Sequence, residues 1–243
     1  MTASDLPAAD PGLPQEPIPE CVPAAGTITA LGGGHGLFAT LRAARAAADR
    51  VNAVVTVADD GGSSGRMRRE LGTLPPGDLR MALAALVADN QRGHLWEETL
   101  QYRFGGHGAL AGHAVGNLIL AGLTEVTGSS IAALDELCTL MGVSGRVLPM
   151  SPEPLDLEAE VLGLGDDPRE VNPVRGQVAV ASTPGQVRRV RLIPTDPAPT
   201  PEAVLAIEQA DVVTLGPGSW FSSVIPHLLM PGIVDALNRT GAL

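Results

Sequence analysis

A run of glycines has the composition of a phosphate-binding turn. It lies between a β-rich run and an Ala/Arg-rich segment and reads Gly32-Gly33-Gly34-His35-Gly36-Leu37. Glycines let a backbone approach a phosphate closely, and a following helix offers free N–H groups at its positive end. The run departs from the GxGxxG pattern because Leu37 takes the place of the last glycine. The alternative is a tight strand-to-helix turn without a ligand.

Two adjacent acids follow the next β-rich run, about 25 residues further along. They open the segment Asp59-Asp60-Gly61-Gly62-Ser63-Ser64-Gly65-Arg66. An acid at this position binds the ribose in Rossmann domains, and adjacent carboxylates can also hold a divalent cation. The stretch Ser63–Arg66 offers hydroxyls, backbone N–H groups and a guanidinium to phosphate oxygens. The alternative is a solvated Asp-Gly turn.

The same segment also spells GxSxG, the nucleophile elbow of α/β-hydrolases. Ser63 would be the nucleophile, and His227 could complete a triad with an intervening acid. The two acids just before the serine would oppose a developing oxyanion, so we disfavour the hydrolase hypothesis.

The segment Pro75–Arg80 places an acid and a base close to a predicted helix start. Asp78 is expected to cap a helix over 79–90. The helix dipole disfavours a cation in the first turn, so Arg80 is better explained by a bound anion. The alternative is an ion pair with a carboxylate such as that of Glu70.

Two more groups complete the candidate site. His113 and Asn117 are four residues apart, which predicts one shared helix face directed at a site. The alternative is a buried hydrogen-bonded pair, and no partner at zinc-ligand spacing accompanies His113. A second glycine loop before a helix reads Gly216-Pro217-Gly218-Ser219. Two such loops at strand ends predict a crevice at the switch point of an open sheet. Trp220 and Phe221, which follow the second loop, are expected in the core.

The elements around these segments alternate between strand and helix, which indicates an α/β fold. Predicted strands cover 27–31, 51–58, 146–150, 155–162, 177–182, 187–193 and 211–215. Predicted helices cover 37–49, 79–90, 95–104, 111–127, 129–141, 201–210 and about 220–238, with a loop at 163–175. Ser129 or Ser130 is expected to cap the helix at 129–141. Residues 1–25 contain six prolines, four acids and no base, which predicts a disordered acidic tail before a domain at 26–243.

Composition excludes several classes of function. All 16 basic residues of the 243 are arginines, so no lysine can serve a Walker A motif, a Schiff base or a kinase strand. The net charge of −11 disfavours nucleic acid as a partner. The absence of a long apolar run predicts no membrane insertion, and two cysteines without a disulfide pattern favour a cytoplasmic location.

The motifs together resemble the CofD-like superfamily, and within it the YvcK branch of gluconeogenesis factors. Five pieces carry the resemblance in family order: GGGHGL (32–37), TVADDGGSSGR (56–66), PPGDLR (75–80), HAVGNLIL (113–120) and LGPGSWFSSVIPHLL (215–229). The lysine-free composition is similar to that of actinobacterial members. The resemblance implies a Rossmann-like, mostly parallel sheet with helices on both faces and an inserted helical region.

The resemblance also implies a function. The branch is associated with binding UDP-sugars such as UDP-N-acetylglucosamine and with cell shape and cell-wall synthesis during gluconeogenic growth. The superfamily is named for Mg²⁺-dependent 2-phospho-L-lactate transferases, whose metal-binding acids match Asp59 and Asp60. Met81 replaces an expected asparagine, and the family continues past Leu243, so C-terminal strands are expected to be lacking.

The leading hypothesis is therefore a non-catalytic sugar-nucleotide-binding regulator that forms a homo-oligomer and contacts cell-wall synthesis proteins. The alternatives are a Mg²⁺-dependent phospholactyl-transferase-like enzyme and a scaffold that acts through the acidic tail. The ligand would contact the two glycine loops, the segment Ser63–Arg66 and the side chains of Asp59, Asp60, Asp78, Arg80, His113 and Asn117.

Overall fold

A four-stranded parallel sheet forms the centre of the fold. The computed structural model describes residues 25–243, so the predicted tail at 1–25 lies outside the described residues except for its last position. The strands are β1 (Ala25–Gly32), β2 (Ala48–Val55), β3 (Val147–Pro149) and β7 (Val212–Leu215), in the order β3-β2-β1-β7. This confirms the predicted α/β, Rossmann-like fold with a parallel sheet.

The apolar runs explain why these segments form buried strands. Ile28 of β1 pairs with Val51 of β2 on one side and with Val212 of β7 on the other. Parallel strands that helices cover on both faces read as continuous apolar runs, and Val51–Val55 are all buried. The strand order reverses at β1, because the chain proceeds from β1 to β2 on one side and reaches β7 on the other. The glycine loops follow β1 and β7, so both lie at this reversal.

Helices connect and cover the sheet. The helices before the second sheet are α1 (Gly34–Ala47), α2 (Gly62–Leu71), α3 (Pro76–Leu86), α4 (Gln91–Gln101), α5 (Val115–Thr127) and α6 (Ser130–Met141). Five of these, α2 to α6, lie between β2 and β3 and form the expected helical insertion. The hydroxyl of Ser129 accepts a hydrogen bond from the Ala132 amide and caps α6 as predicted.

The region after β3 differs most from the sequence-based prediction. A second, antiparallel sheet has the order β5-β4-β6 and consists of β4 (Asp156–Leu162), β5 (Val171–Arg175) and β6 (Gln186–Ile193). The predicted loop at 163–175 therefore ends in a strand. The predicted strand at 177–182 is wrong, because these residues form helix α7 (Gln177–Ser182). The carboxylate of Asp60 accepts a hydrogen bond from the Val178 amide and stabilises the start of this helix, a tertiary contact that local alternation cannot reveal.

The predicted long helix after the second glycine loop is also broken. It consists of a π-helical turn (Trp220–Val224), α9 (Ile225–Leu228) and α10 (Pro231–Arg239), preceded in the chain by α8 (Pro201–Glu208). Pro226 and Pro231 each take a position in a first helical turn, where their lack of an N–H group is tolerated. Across residues 25–243 no single helix is both long and apolar enough to cross a membrane, and only the bent pair 220–228 and 231–239 meets that test jointly.

Candidate functional site

The two glycine loops pack against each other at the carboxyl ends of β1 and β7. Gly36 lies in the first turn of α1, and a Cβ atom there would clash with the carbonyl oxygen of Pro217. The Thr40 hydroxyl lies 3.1 Å from the carbonyl oxygen of Gly36 and 3.3 Å from that of Gly216. The glycines at the first loop therefore permit close contact with the second loop. Gly216 has a φ of 81°, a conformation that favours glycine.

A carboxyl group from α3 lies against the first glycine loop. Asp78 is not the predicted helix cap, because α3 begins at Pro76 and its N-cap is Pro75. The Asp78 carboxylate instead lies against the first glycine loop, where a Cβ atom on Gly33 would lie 2.6 Å from its Oδ2. Desolvation by burial, followed by the nearby charge of Asp59, raises the pKa of Asp78 to about 7. A protein carboxyl thus occupies space beside this loop that a phosphate would need.

A cavity of about 590 Å³ opens beside this contact, between α2, α3 and the segment 103–112. Predicted site residues that line it are Asp59, Ser63, Ser64, Arg66, Asp78, Arg80 and Asn117. Gly61, Gly62, Gly77, Met81, Arg103 and Gly112 complete the lining. The first glycine loop, Asp60 and the second glycine loop are not part of this lining, so the predicted residues fall into two neighbouring groups.

Arg80 is the most deeply buried charged group at the cavity, with 3% of its surface exposed. Its Nε donates a hydrogen bond to Asn117 Oδ1 over 3.0 Å, and its Nη1 contacts Gln101 Oε1. Within residues 25–243 no carboxylate lies within 4.0 Å of its guanidinium, so the alternative ion pair with Glu70 is wrong. Burial, followed by the positive charge of Arg103, lowers the pKa of Arg80 to about 10.

Ser63 joins the predicted histidine–asparagine pair. Its Oγ lies 2.9 Å from His113 Nδ1 and accepts a hydrogen bond from Asn117 Nδ2 over 3.0 Å. His113 precedes α5, which begins at Val115, so the two residues meet at Ser63 without sharing a helix face. Burial, followed by the charge of Arg66, lowers the pKa of His113. The triad suggested by the sequence does not form, because His227 is fully buried and its Nε2 contacts the Val54 carbonyl oxygen instead of Ser63.

The two adjacent acids point to different parts of the molecule. Asp59 lines the cavity, and its Oδ1 accepts a hydrogen bond from the Gly61 amide over 2.9 Å. Asp60 Oδ1 accepts from the Val178 amide over 3.0 Å, at the start of α7. The second acid near Asp59 is therefore Asp78 rather than Asp60. Mg²⁺ is held by one or two carboxylates with several waters, so Asp59 and Asp78 fit such an ion. Groups of three or more His, Cys, Asp or Glu side chains suited to a metal are absent from the described part of the chain.

The remaining predicted residues lie around these two groups. His35 is exposed on α1, Leu37 is buried in the core, and Gly65 packs against the Asp60 carbonyl. Gly218 and Ser219 are exposed after β7. Trp220 and Phe221 are not core residues, because 64% and 39% of their surfaces are exposed.

Arg103 is the functional candidate that sequence reasoning missed. It lines the cavity, and its Nη1 donates a hydrogen bond to the Gly112 carbonyl over 3.0 Å. It belongs to none of the five motifs. Its one local signal is the glycine-rich stretch that follows it, with glycines at 105, 106, 108 and 112.

Comparison with known families agrees with this architecture. The family model described as 2-phospho-L-lactate transferase CofD matches residues 28–243. The chain belongs to the CofD family. The match begins inside β1 and covers both glycine loops, the adjacent acids and the cavity.

Within the CofD family the chain is similar to gluconeogenesis factors. A candidate gluconeogenesis factor of Mycobacterium tuberculosis is 65% identical over 88% of the chain, and the gluconeogenesis factor of Bacillus subtilis is 41% identical over 88%. A crystal structure of a UPF0052-family protein from Bacillus halodurans has a TM-score of 0.79 and 40% identity over 89% of this chain and 66% of its own. The chain spans 63% of the length of the mycobacterial relative.

Proposed function

We propose that this CofD-family protein is a cytoplasmic regulator that binds a sugar nucleotide of the UDP-N-acetylglucosamine type. The observation that carries the proposal is the contact between the two glycine loops at the strand-order reversal, directly beside an arginine-lined cavity. Ligands of open α/β sheets bind outside the carboxyl ends of the strands at such a reversal. The names of the relatives support a role in gluconeogenic growth. Effects on cell shape and cell-wall synthesis are part of the proposal.

The proposed ligand spans the crevice and the cavity. Its ribose lies near Asp59, at the end of β2, where a carboxylate can accept hydrogen bonds from ribose hydroxyls. Its negatively charged phosphates lie near the guanidinium groups, which form charge-assisted hydrogen bonds with phosphate oxygens. The second glycine loop and Asp59 lie on opposite sides of β1. This loop would contact the sugar half of the ligand.

Calorimetric titration with UDP-N-acetylglucosamine tests this proposal, with and without Mg²⁺. We expect binding without metal, and a loss of about tenfold in affinity for Asp59→Asn, because one strong hydrogen bond is weakened. Asp60→Asn is the matched control, since the Asp60 carboxylate faces α7, and it should keep the affinity within about twofold. The titration is repeated on a chain of the full length of the relatives. Absence of binding in both chains would disprove the proposal.

A second candidate is a Mg²⁺-dependent transferase that acts on a nucleotide-activated phosphoester. The proximity of Asp59 to Asp78 favours it, because two carboxyls at one cavity could hold the ion that neutralises a transferred phosphoryl group. Strict dependence of binding on Mg²⁺, with formation of a phospholactyl product, would favour the enzyme over the regulator. A homo-oligomeric state and binding to cell-wall synthesis proteins remain proposals, which sedimentation and co-purification can test.

A further inference from the structure

We propose that the cavity formed by Arg66, Arg80 and Arg103 is an oxyanion site that binds a phosphate or carboxylate group. The proposal deepens the proposed function. It rests on that function only in assigning the oxyanion to the phosphates of the sugar nucleotide. It assigns the anion to three guanidinium groups rather than to the first glycine loop, and it adds Arg103 as a binding residue.

The buried charge of Arg80 is the first reason. A charged side chain that loses its contact with water is costly unless an opposite charge compensates it. Arg80 is 3% exposed and its partners are the neutral amides of Asn117 and Gln101. An oxyanion in the cavity would supply the missing charge.

The other two arginines are positioned by backbone contacts and keep free donors. Arg66 Nη2 donates to the Ala111 carbonyl over 2.8 Å, and Arg103 Nη1 donates to the Gly112 carbonyl over 3.0 Å. A guanidinium has five N–H donors, so each arginine retains several for an oxyanion. Both are therefore attached to the same short segment, at the wall of one cavity.

The balance of charge favours an anion. Three guanidinium groups face the carboxyls of Asp59 and Asp78 at the cavity, in a chain whose net charge is −11. The cavity is thus more positive than the rest of the molecule.

The first glycine loop is the less suitable anion site. The Asp78 carboxyl already lies against Gly33, and Gly33 and Gly36 leave no room even for a Cβ atom. A phosphate at this position would have to displace a protein carboxylate.

Titration with inorganic pyrophosphate tests the site without the nucleotide. We expect Arg103→Gln to weaken pyrophosphate binding by about tenfold, since a hydrogen bond to a charged group is lost. Arg92→Gln removes the same charge from an exposed position on α4 outside the cavity lining, and should change the affinity less than twofold. Equal affinities of the two variants, or no binding of pyrophosphate to the wild type, would overturn the proposal.

A second variant and a competition experiment complete the test. Arg80→Lys keeps the charge but loses the planar fork, and we expect weaker binding of pyrophosphate when the variant is titrated below its own, lowered melting temperature. Pyrophosphate that competes with UDP-N-acetylglucosamine identifies the oxyanion as the nucleotide phosphate. Simultaneous binding identifies a separate anionic ligand. Pyrophosphate binding that depends on Arg103, without any UDP-sugar binding, would disprove the proposed function and keep the oxyanion site.

Discussion

The two glycine loops at the carboxyl edge of the sheet have similar sequences but different surroundings. At the first loop, Gly33 lies against Thr56 and Asp78, and Gly36 lies against the Pro217 carbonyl. At the second loop, Gly218 has only ordinary van der Waals neighbours, and Ser219 and Trp220 are exposed. The first loop is therefore closed by protein groups, whereas the second is open to solvent.

This difference shows that a glycine motif can serve packing as well as binding. A run of glycines after a strand predicts close approach of a backbone, and the sequence does not say which group approaches. At the first loop the approaching groups are the second loop and a carboxyl of α3. We infer that the first loop joins the two halves of the site, and that direct ligand contact falls mainly to the second loop and the cavity.

The largest expected effect comes from adding one methyl group to each loop. Gly36→Ala places a Cβ atom against the Pro217 carbonyl and should lower the free energy of unfolding by about 3 kcal/mol, because backbone must move to relieve the clash. Gly218→Ala is the control, with a Cβ atom 3.4 Å from that of Ser223, and should cost less than about 1 kcal/mol. Urea unfolding measures both.

The outcome for Gly36 is informative because local propensity acts in the opposite direction. Alanine is favoured over glycine inside a helix by about 1 kcal/mol, and Gly36 lies in α1. An unchanged or increased stability of Gly36→Ala would mean that the two loops do not pack tightly, and the contrast between them would then fail.

The next largest effect concerns the pH dependence of the free energy of unfolding, to which Asp78 contributes. Its pKa is about 7 in the folded protein against 3.8 as its ordinary value. Between these values the folded state keeps a proton that the unfolded state releases, so the free energy of unfolding falls as pH rises from about 4 to 7. Between pH 5 and pH 8 this loss amounts to about 2–3 kcal/mol. Asp78→Asn should abolish this part of the pH dependence, as urea unfolding at pH 5 and pH 8 would measure.

The pH profile of wild-type stability does not isolate the contribution of Asp78, because His227 also changes protonation. This histidine is fully buried, its Nε2 lies 3.1 Å from the Val54 carbonyl oxygen, and burial lowers its pKa to about 4. Its contribution to stability is lost as pH falls from 6.5 towards 4, which is opposite to the effect of Asp78. The test is therefore the difference between Asp78→Asn and the wild type, with Asp60→Asn as a control that retains Asp78. Parallel profiles for all three proteins would contradict the proposed environment of Asp78.

The sequence predicts the parallel sheet and the motif segments well, because both depend on local signals. The apolar run of β2 and the serine cap of α6 are examples. It fails where a distant group decides the structure. The segment 177–182 alternates like a strand, but the Asp60 carboxylate caps it as a helix. Asp78 stands next to a helix start and is typical of a cap, yet its carboxyl lies against Gly33 of another segment.

The same reasoning explains why the cavity is only partly predictable. Arg66 and Arg80 lie in motifs, so their residue types and positions indicate an anion. Arg103 follows α4 and reaches the cavity through the fold of the 103–112 segment, a relation that spacing cannot express. The sequence predicts Trp220 and Phe221 in the core, but the π-helical turn after the second loop leaves both exposed.

The smallest expected effect on stability comes from Ser219→Ala in the second loop, and it tests whether this loop contacts the ligand while the first loop serves packing. The Ser219 side chain makes no capping hydrogen bond to the following helical turn and is exposed, so Ser219→Ala should change the free energy of unfolding by less than about 0.5 kcal/mol. If the second loop contacts the ligand, the same variant should still weaken UDP-N-acetylglucosamine binding by about fivefold, since one neutral hydrogen bond is lost. Thermal unfolding and calorimetry on one sample separate the two effects. A stability loss without a change in affinity would mean that the second loop, like the first, serves packing rather than binding.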